Sequence, residues 1–352
     1  MATGPGSLER PARSVGVRDV AARAEVSVGT VSNVLNNPGR VVPETRDRVE
    51  AAIRSLGFVP SRAAGQLRSR RSELIGVVIP DVGNPFWASV LRGIETVADE
   101  AGLTMIVGST HQDPDRQLHL LRVLESQGVD GLVIAPIADP GGDWAVFQKR
   151  RFGVVALERQ AGSEDAWVSL DNVEGARLAM AHLINQGHTR IALVNGPTSV
   201  SWCAERREGA ARAVVESGLD PAQVLVHVFV DDLTVEQGAA AVRPLFRDAR
   251  AAPGDQRVSA VMCVNDLLAL GALLAMQEQG IRVPDDIALV GYDDADFGPA
   301  LDPPLTTVRQ PGFEMGAAAA RLLLMSAPGR APGDHVEFEP KLIVRRSSVR
   351  EL

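Results

Sequence analysis

The sequence has few of the residues that build metal sites and disulfide frameworks, and it has no long apolar run. Only two cysteines and six histidines occur among 352 residues. Cys203 and Cys263 are too far apart for a CxxC site and too few for a disulfide framework, and the histidines are scattered, so we expect no bound metal. No apolar run approaches the length of a membrane span. Residues 1–16 lack the apolar core of a signal peptide, so we predict a cytoplasmic protein without a cofactor.

Aromatic residues are also scarce, at 4% of the chain, whereas hydrophobic residues make up 45%. This composition favours a globular α/β protein with two or three folded units.

The charge is unevenly distributed along the chain. Residues 1–72 hold 12 Arg and 6 acidic residues, a net charge of +6, whereas residues 73–352 hold 24 basic and 38 acidic residues, a net charge of −14. A small basic region joined to an acidic body is typical of a DNA-binding domain fused to a ligand sensor.

The segment VRDVAARAEVSVGTVSNVLNN, residues 17–37, predicts two short helices joined by a tight turn. Its apolar and small residues recur at helical spacing. Ser27 can cap a second helix that begins near Val28, because its hydroxyl can accept from the backbone N–H of Thr30. The side chains left over on that helix are small, polar and uncharged. They suit the second helix of a helix-turn-helix, which lies in the DNA major groove, although an ordinary pair of surface helices is the alternative.

The residues that follow narrow these alternatives. The chain carries VxDVAxxAxVSxxTVSxVLN from Val17 to Asn36, and V-x-x-x-T-R-x-x-V-x-x-A-I-x-x-L-G-[YF]-x-P from Val41 to Pro60. In both stretches it resembles, nearly residue for residue, the head-piece of the LacI/GalR family of bacterial transcription regulators. The resemblance implies a flexible tail over 1–16, an all-α helix-turn-helix domain over 17–59 and a hinge over 60–72.

The resemblance also implies which residues contact DNA. Val28, Gly29 and Asn33 are the predicted base-reading positions, since the first residues of a recognition helix meet the base edges. Asn33 gives the most specific of these predictions, because asparagine can pair with adenine through two hydrogen bonds. The other polar residues of the segment are predicted to position phosphates: Ser27, Thr30, Ser32 and Asn36.

The hinge, residues 60–72, holds small residues, several arginines and one leucine, and therefore too little apolar surface to fold alone. Leu67 matches the leucine that relatives wedge into the minor groove when the hinge becomes helical on DNA. Arg62 and Ala64 are the other predicted DNA contacts. Gly65 stands where relatives carry a helix-favouring residue, and it should destabilise the hinge helix by about 1 kcal/mol. A flexible linker without a role in DNA binding is the alternative.

From Leu74 onward, short apolar runs alternate with amphipathic helices, beginning with LIGVVIP. Apolar runs of this length between helices are typical of buried parallel strands. They predict an α/β core over 73–352 with two doubly wound parallel sheets and a ligand at the strand ends. This half resembles periplasmic sugar-binding proteins, and also the LacI-family effector domain. The resemblance implies three crossings between subdomains, with an N-subdomain of about 73–171 and 305–331 and a C-subdomain of about 172–304 and 336–346.

The same resemblance implies an effector site at the strand ends. The motif DVGNPFW supplies Asn84, Phe86 and Trp87, an amide and two rings that suit the rim and face of a sugar. The family's Asp-Arg pair is Glu158 and Arg159 here, and the longer carboxylate leaves the exact sugar open. Arg206 matches the arginine of the family's R-x-x-G motif, and the other candidates lie in later parts of the chain: Asp171, Asn265, Asp293 and Gln310.

Carboxylates, amides and guanidinium groups hold hydroxyls in defined directions, so the set predicts a pentose or hexose. Arg159, where purine-binding relatives carry an aromatic residue, also favours a sugar. For Asp171 and Asp293 a helix cap or a turn is an equal alternative.

The expected function is a DNA-binding transcriptional regulator, not an enzyme, that binds a near-palindromic operator as a homodimer and associates with the nucleoid. Two alternatives stay open. A solute-binding protein of sugar transport would not need the basic head, and an α/β enzyme would need a nucleophile motif, phosphate loop or metal spacing that the sequence lacks. The sequence leaves open the operator, the effector, the sign of regulation, and dimer against tetramer.

Overall fold

The computed structural model describes residues 15–58, 72–137, 153–158, 166–198, 200–251, 257–325 and 334–349, with the backbone alone for 247–251. The chain divides into two compact units, one up to Ser72 and one from Glu73 onward. None of the helices within these ranges combines the length and the apolar character needed to cross a bilayer.

Over residues 15–58, the first unit is a three-helix head formed by α1 (Val17–Arg23), α2 (Val28–Asn36) and α3 (Pro43–Leu56), with a short 3₁₀ turn at Pro38–Arg40. Val20, Val31 and Val49 are fully buried at its centre. The predicted cap of α2 is confirmed, since the Ser27 hydroxyl accepts from the Thr30 N–H at 3.0 Å. Gly57 ends α3 in the left-handed conformation, with φ 59°, which glycine adopts without a steric penalty.

The second unit contains two six-stranded sheets. The first sheet has the order β11-β5-β4-β3-β1-β2, and its five pairings are all parallel. Its strands are β1 (Leu74–Ile79), β2 (Thr104–Ser109), β3 (Gly131–Ile134), β4 (Gly153–Ala156), β5 (Ala166–Leu170) and β11 (His335–Phe338). The helices α4 (Pro85–Glu100) and α5 (Pro114–Ser126) connect its early strands.

The second sheet has the order β12-β10-β9-β8-β6-β7, in which only the terminal β12 runs antiparallel to its neighbour. Its strands are β6 (Ile191–Asn195), β7 (Leu225–Phe229), β8 (Ala260–Cys263), β9 (Ala288–Asp293), β10 (Thr306–Arg309) and β12 (Lys341–Ile343). The remaining α-helices of the described residues are α6 (Asn172–Asn185), α7 (Ser201–Glu216), α8 (Pro221–Val224), α9 (Val235–Ala251), α10 (Asp266–Glu278) and α11 (Gly312–Met325).

Two strands near the C-terminus lie in the sheet opposite to the one predicted. The resemblance implies that 305–331 belongs to the N-subdomain and 336–346 to the C-subdomain, but β10 pairs with β9 in the second sheet and β11 pairs with β5 in the first. The later part of each range is as expected, because α11 packs on α4 and β12 joins the second sheet. Apolar strands of the two sheets have the same composition, so the sequence does not specify which partner each strand takes.

The chain passes between the sheets after β5, after β10 and after β11, as the described segments show. On returning to the first sheet, α11 packs directly against α4. A Cβ at Gly93 would collide with the carbonyl oxygen of Phe313, and one at Gly316 would collide with that of Val90. These glycines let the helix backbones touch, which fixes Gln310, just before α11, beside the start of α4.

Candidate effector cleft and nucleic-acid interface

A cavity of about 310 Å³ lies at the carboxyl ends of the strands of both sheets. Side chains that follow parallel strands converge at this edge, which is where open α/β sheets bind ligands. The cavity brings together eight of the ten predicted effector residues: Asn84, Phe86, Trp87, Glu158, Arg206, Asn265, Asp293 and Gln310.

Two of the amides hold helix N-termini at the cavity. Asn84 caps α4 by accepting from the N–H of Phe86 at 2.9 Å. Asn265 caps α10 by accepting from the N–H of Leu268 at 2.8 Å, and its amide nitrogen donates to the Leu233 carbonyl at 3.2 Å. Capping sets both side chains in fixed orientations. It also uses part of the hydrogen-bonding capacity of each amide, most of all that of Asn265.

Arg206 is buried, with 3% of its surface exposed. Its Nε donates to Asn172 Oδ1 at 3.0 Å, and its Nη1 donates to the Val264 carbonyl at 2.5 Å and lies 3.9 Å from Asp293 Oδ1. A planar guanidinium with several fixed partners has little rotational freedom. Arg206 is therefore a rigid part of the cavity wall.

Two aromatic rings hold the same guanidinium. The Arg206 Cζ lies 3.6 Å from the centroid of the Tyr292 ring and 4.8 Å from that of Trp202. A cation against an aromatic face is stabilised by the quadrupole of the ring, and more strongly where water is excluded. Trp202 also lines the cavity. It thereby adds a third aromatic surface to those of Phe86 and Trp87.

Asp293 ends β9 with a positive φ of 117°, a backbone conformation that residues other than glycine rarely adopt. Its Oδ1 accepts from Gln310 Nε2 at 2.6 Å. Burial raises the pKa of Asp293 to about 6, although Arg206, Gln310 and Asn84 all favour the ionised form. Asn84 and Asp293 line the same cavity from the two subdomains.

Glu158 follows β4 and is 8% exposed. Burial and then the neighbouring Glu205 raise its pKa to about 8, against the opposing effect of Arg206. Its carboxyl group has no hydrogen-bond partner within the part of the chain that the structure describes. Such a group can donate one hydrogen bond to a ligand hydroxyl when it is protonated, and accept several when it is ionised.

The predicted base-reading residues lie on the outer face of α2. Val28 is 43% exposed, and Gly29 and Asn33 are also exposed. No residue of the described head forms a hydrogen bond with the Asn33 side chain. Its amide therefore keeps both the donor and the acceptor that pairing with adenine requires.

The predicted phosphate contacts differ in what they can still donate. The hydroxyls of Ser27 and Thr30 lie 2.9 Å apart and share one hydrogen, so one O–H is left to donate to a phosphate. The Asn36 nitrogen instead donates to the Ser32 carbonyl at 2.7 Å and to its hydroxyl at 3.2 Å. Ser27 and Thr30 are therefore better placed for a phosphate than Asn36.

Comparison with known proteins supports the same division of the chain. Residues 17–61 match the bacterial regulatory proteins of the lacI family, and residues 180–348 match the periplasmic binding protein-like domain. The ribose operon repressor of Halalkalibacterium halodurans is 34% identical over 334 residues, which cover 94% of this chain and 96% of that protein. The chain belongs to the LacI family.

Two solved structures of this family share the fold. The lac repressor dimer bound to operator and the anti-inducer ONPF is 28% identical with a TM-score of 0.79, and the match covers 96% of this chain and 100% of that one. A LacI-family regulator of Enterococcus faecium with bound ribose is 28% identical with a TM-score of 0.68, covering 78% of this chain and 98% of that one. The protein is thus a DNA-binding transcriptional regulator, and the predicted class of a helical head followed by two mostly parallel α/β sheets is confirmed.

Not every predicted site residue of this LacI-family protein lies at the cleft. Asp171 does not line the cavity. It caps α6 by accepting from the N–H of Glu174 at 2.8 Å, which was the structural alternative for this residue. Arg159, together with the hinge residues Arg62, Ala64 and Leu67, lies outside the described residues.

Other lining residues of the cavity were not predicted. All of them except Trp202 lie in turns that follow strands: Pro80, Asp81, His111, Gln112, Asp232, Leu233 and Thr234. Asp81 is the first residue of the DVGNPFW motif, whereas the turns of the other five residues after Pro80 carry no motif that marks them as binding loops. Trp202 did have a signal, because it precedes Arg206 by four residues on one helix and therefore shares its face.

We predict that Glu158→Gln stabilises the protein more at high pH than at low pH. A carboxyl with a raised pKa binds its proton more tightly in the folded state, so the stability of the wild type falls as pH rises from the ordinary carboxyl range to about 8. A neutral amide avoids this loss. The urea midpoint of the variant relative to wild type should therefore increase between about pH 5 and about pH 8.

Asp232→Asn is the matched control, because this carboxylate lines the same cavity but is exposed. Its urea midpoint relative to wild type should stay nearly constant over the same range. If the urea midpoint of Glu158→Gln, relative to wild type, changed with pH no more than that of the control, burial would not destabilise the ionised form of Glu158.

Proposed function

We propose that this protein is a homodimeric transcriptional repressor whose binding to a near-palindromic operator is controlled by a pentose or hexose in the cleft. The observation that carries the proposal is the convergence of Asn84, Glu158, Arg206, Asp293 and Gln310 on one cavity. The same chain presents an exposed, uncharged polar recognition helix in its head. A regulator that senses a small polar molecule needs both features.

The repressor and homodimer assignments draw on relatives. The 34% identical protein is a ribose operon repressor, and the lac repressor binds operator as a dimer. A single helix such as α2 reads only a few base pairs. Pairing two heads doubles the length of the recognised site and the number of phosphate contacts, and two-fold symmetry makes that site near-palindromic.

The proposed sugar fits the chemistry of the cavity. A volume of about 310 Å³ suits a small ligand, and the lining combines three aromatic residues with convergent polar groups. Carboxyl groups such as Glu158 and Asp293 can accept hydrogen bonds from sugar hydroxyls, while ring faces contact the C–H surface. Ribose is bound by the Enterococcus faecium relative, so it is the first sugar to test.

The proposed switch uses the two sides of the cleft. Asn84 belongs to the first subdomain and Asp293 to the second, so a ligand held by both changes how the subdomains meet. We propose that this change alters the spacing between the two hinges of the dimer, and that the hinges bind DNA only at one spacing. The hinge residues concerned are Arg62, Ala64 and Leu67. The effector then shifts the protein between a DNA-binding state and a state that does not bind DNA. The regulator is proposed to act in the cytoplasm, at the nucleoid.

Operator binding measured by fluorescence anisotropy at fixed salt tests the proposal. Fragments selected from genomic DNA supply the operator, and a panel of pentoses, hexoses and purines supplies the effectors. We expect tight, sequence-specific binding that one sugar releases. Binding indifferent to every member of the panel would contradict the proposed effector class, and the absence of sequence-specific binding would contradict the operator function.

We predict that Asn33→Ala relaxes discrimination at one symmetric base pair of the operator. Loss of a two-hydrogen-bond contact to adenine should cost about 1–3 kcal/mol on the preferred operator and little on operators changed at that pair. Anisotropy titrations against all four base pairs at that position measure the effect. Asn37→Ala, an exposed amide just beyond α2, is the control and should leave the base preference intact. Equal losses by Asn33→Ala on all four operators would mean that Asn33 reads no base.

A further inference from the structure

Asp266, the first residue of α10, is a buried carboxylate that does not line the cavity. Its Oδ2 accepts from the N–H of Ala295 at 2.8 Å, and its Oδ1 accepts from the hydroxyl of Thr307 at 2.7 Å. Burial and then the neighbouring Asp293 raise the pKa of Asp266, whereas the hydrogen bonds from Thr307 and Ala295 favour its ionised form. Asp266 therefore links the start of α10 to the turn that follows β9 and to β10.

That turn has an uncommon conformation. Asp293 and Asp294 both have positive φ, 117° and 57°, and neither is glycine. Conformations of this kind persist only where the surrounding structure holds them. The Asp294 N–H donates to the Thr307 hydroxyl oxygen at 3.2 Å, so Asp266 and Thr307 together bind two successive backbone N–H groups of the turn.

The fit of Asp266 beneath β9 is close. A Cβ at Gly291 would collide with Asp266 Oδ1, so glycine at this position leaves room for the carboxylate. On the other side of the turn, the Asp294 carboxylate binds Arg309 and Arg345, each at 2.6 Å. The turn is thus fixed from both sides, and Asp293 projects from it into the cavity.

We propose that Asp266 is a positioning residue for effector recognition. It acts through the 293–295 turn, which aims the Asp293 carboxyl at Asn84, Gln310 and the ligand. The inference rests on the proposed effector function of the cleft. Loss of the Asp266 carboxylate frees the Ala295 N–H and the Thr307 hydroxyl, and the strained turn relaxes. The Asp293 carboxyl then loses its fixed position, and effector affinity falls although no residue of the cavity wall has changed.

The test compares wild type with Asp266→Ala, Asp266→Asn and Ser347→Ala in the full chain. Asparagine is the conservative variant, because its oxygen can accept from Ala295 while its nitrogen donates to Thr307. Ser347→Ala is the matched control. It removes two buried hydrogen bonds of the same sheet, to Leu289 and Thr306, but none to the turn. D-ribose, followed by the other sugars of the panel, is titrated calorimetrically, and operator affinity without sugar and thermal stability are measured alongside.

We expect Asp266→Ala to weaken sugar binding by about tenfold or more while operator affinity stays within about twofold of wild type. Asp266→Asn should recover most of the sugar affinity, and Ser347→Ala should lose thermal stability but keep sugar affinity. Sugar affinity unchanged in Asp266→Ala would overturn the inference. So would an equal loss of affinity in Ser347→Ala, because general destabilisation would then explain both.

If no sugar of the panel binds the wild type, the proposed effector class is contradicted. Amide hydrogen exchange of the 292–297 segment still tests the positioning role of Asp266 in that case. Faster exchange in Asp266→Ala than in Ser347→Ala supports the positioning role. Equal exchange in the two variants would overturn it.

Discussion

The cleft depends on one buried cation, the guanidinium of Arg206. It connects α7, which carries it, to Asn172 at the start of α6, to the chain after β8 and to Asp293 at the end of β9. An unpaired charge at 3% exposure would destabilise the fold severely, so these partners stabilise the folded core. Because the partners are fixed by the second sheet, the polar groups of the cavity are held in place before a ligand arrives.

This arrangement lets one chain carry two kinds of recognition. In the head, a capped helix presents polar side chains without charge, and the basic residues of the N-terminal unit supply the general attraction to DNA. In the core, acidic and amide groups gather where strands end, with the aromatic rings beside them. The basic and the acidic charges lie in different units of the chain.

Part of this organisation could be predicted from the sequence, because local chemistry decides it: Ser27 caps α2 through its own hydroxyl. Asn84, Arg206 and Asp293, which line one cavity, could be predicted only because the chain resembles the family at those positions. The sheet membership of β10 and β11 could not be predicted, since strand pairing is a long-range choice between similar apolar segments. The turn residues His111 and Gln112 were missed for a related reason, because their place at the cavity comes from turn geometry with positive φ. Asp266 is recognisable only through its partners at positions 295 and 307.

We propose that occupation of the cleft and binding to DNA are coupled in this one molecule. The most direct test is the affinity for the sugar that the panel identifies, measured on the free protein and on the protein saturated with operator. Coupling free energy is reciprocal, so operator should weaken sugar binding by the same factor by which the sugar weakens operator binding. A sugar affinity that is identical with and without operator would contradict the account.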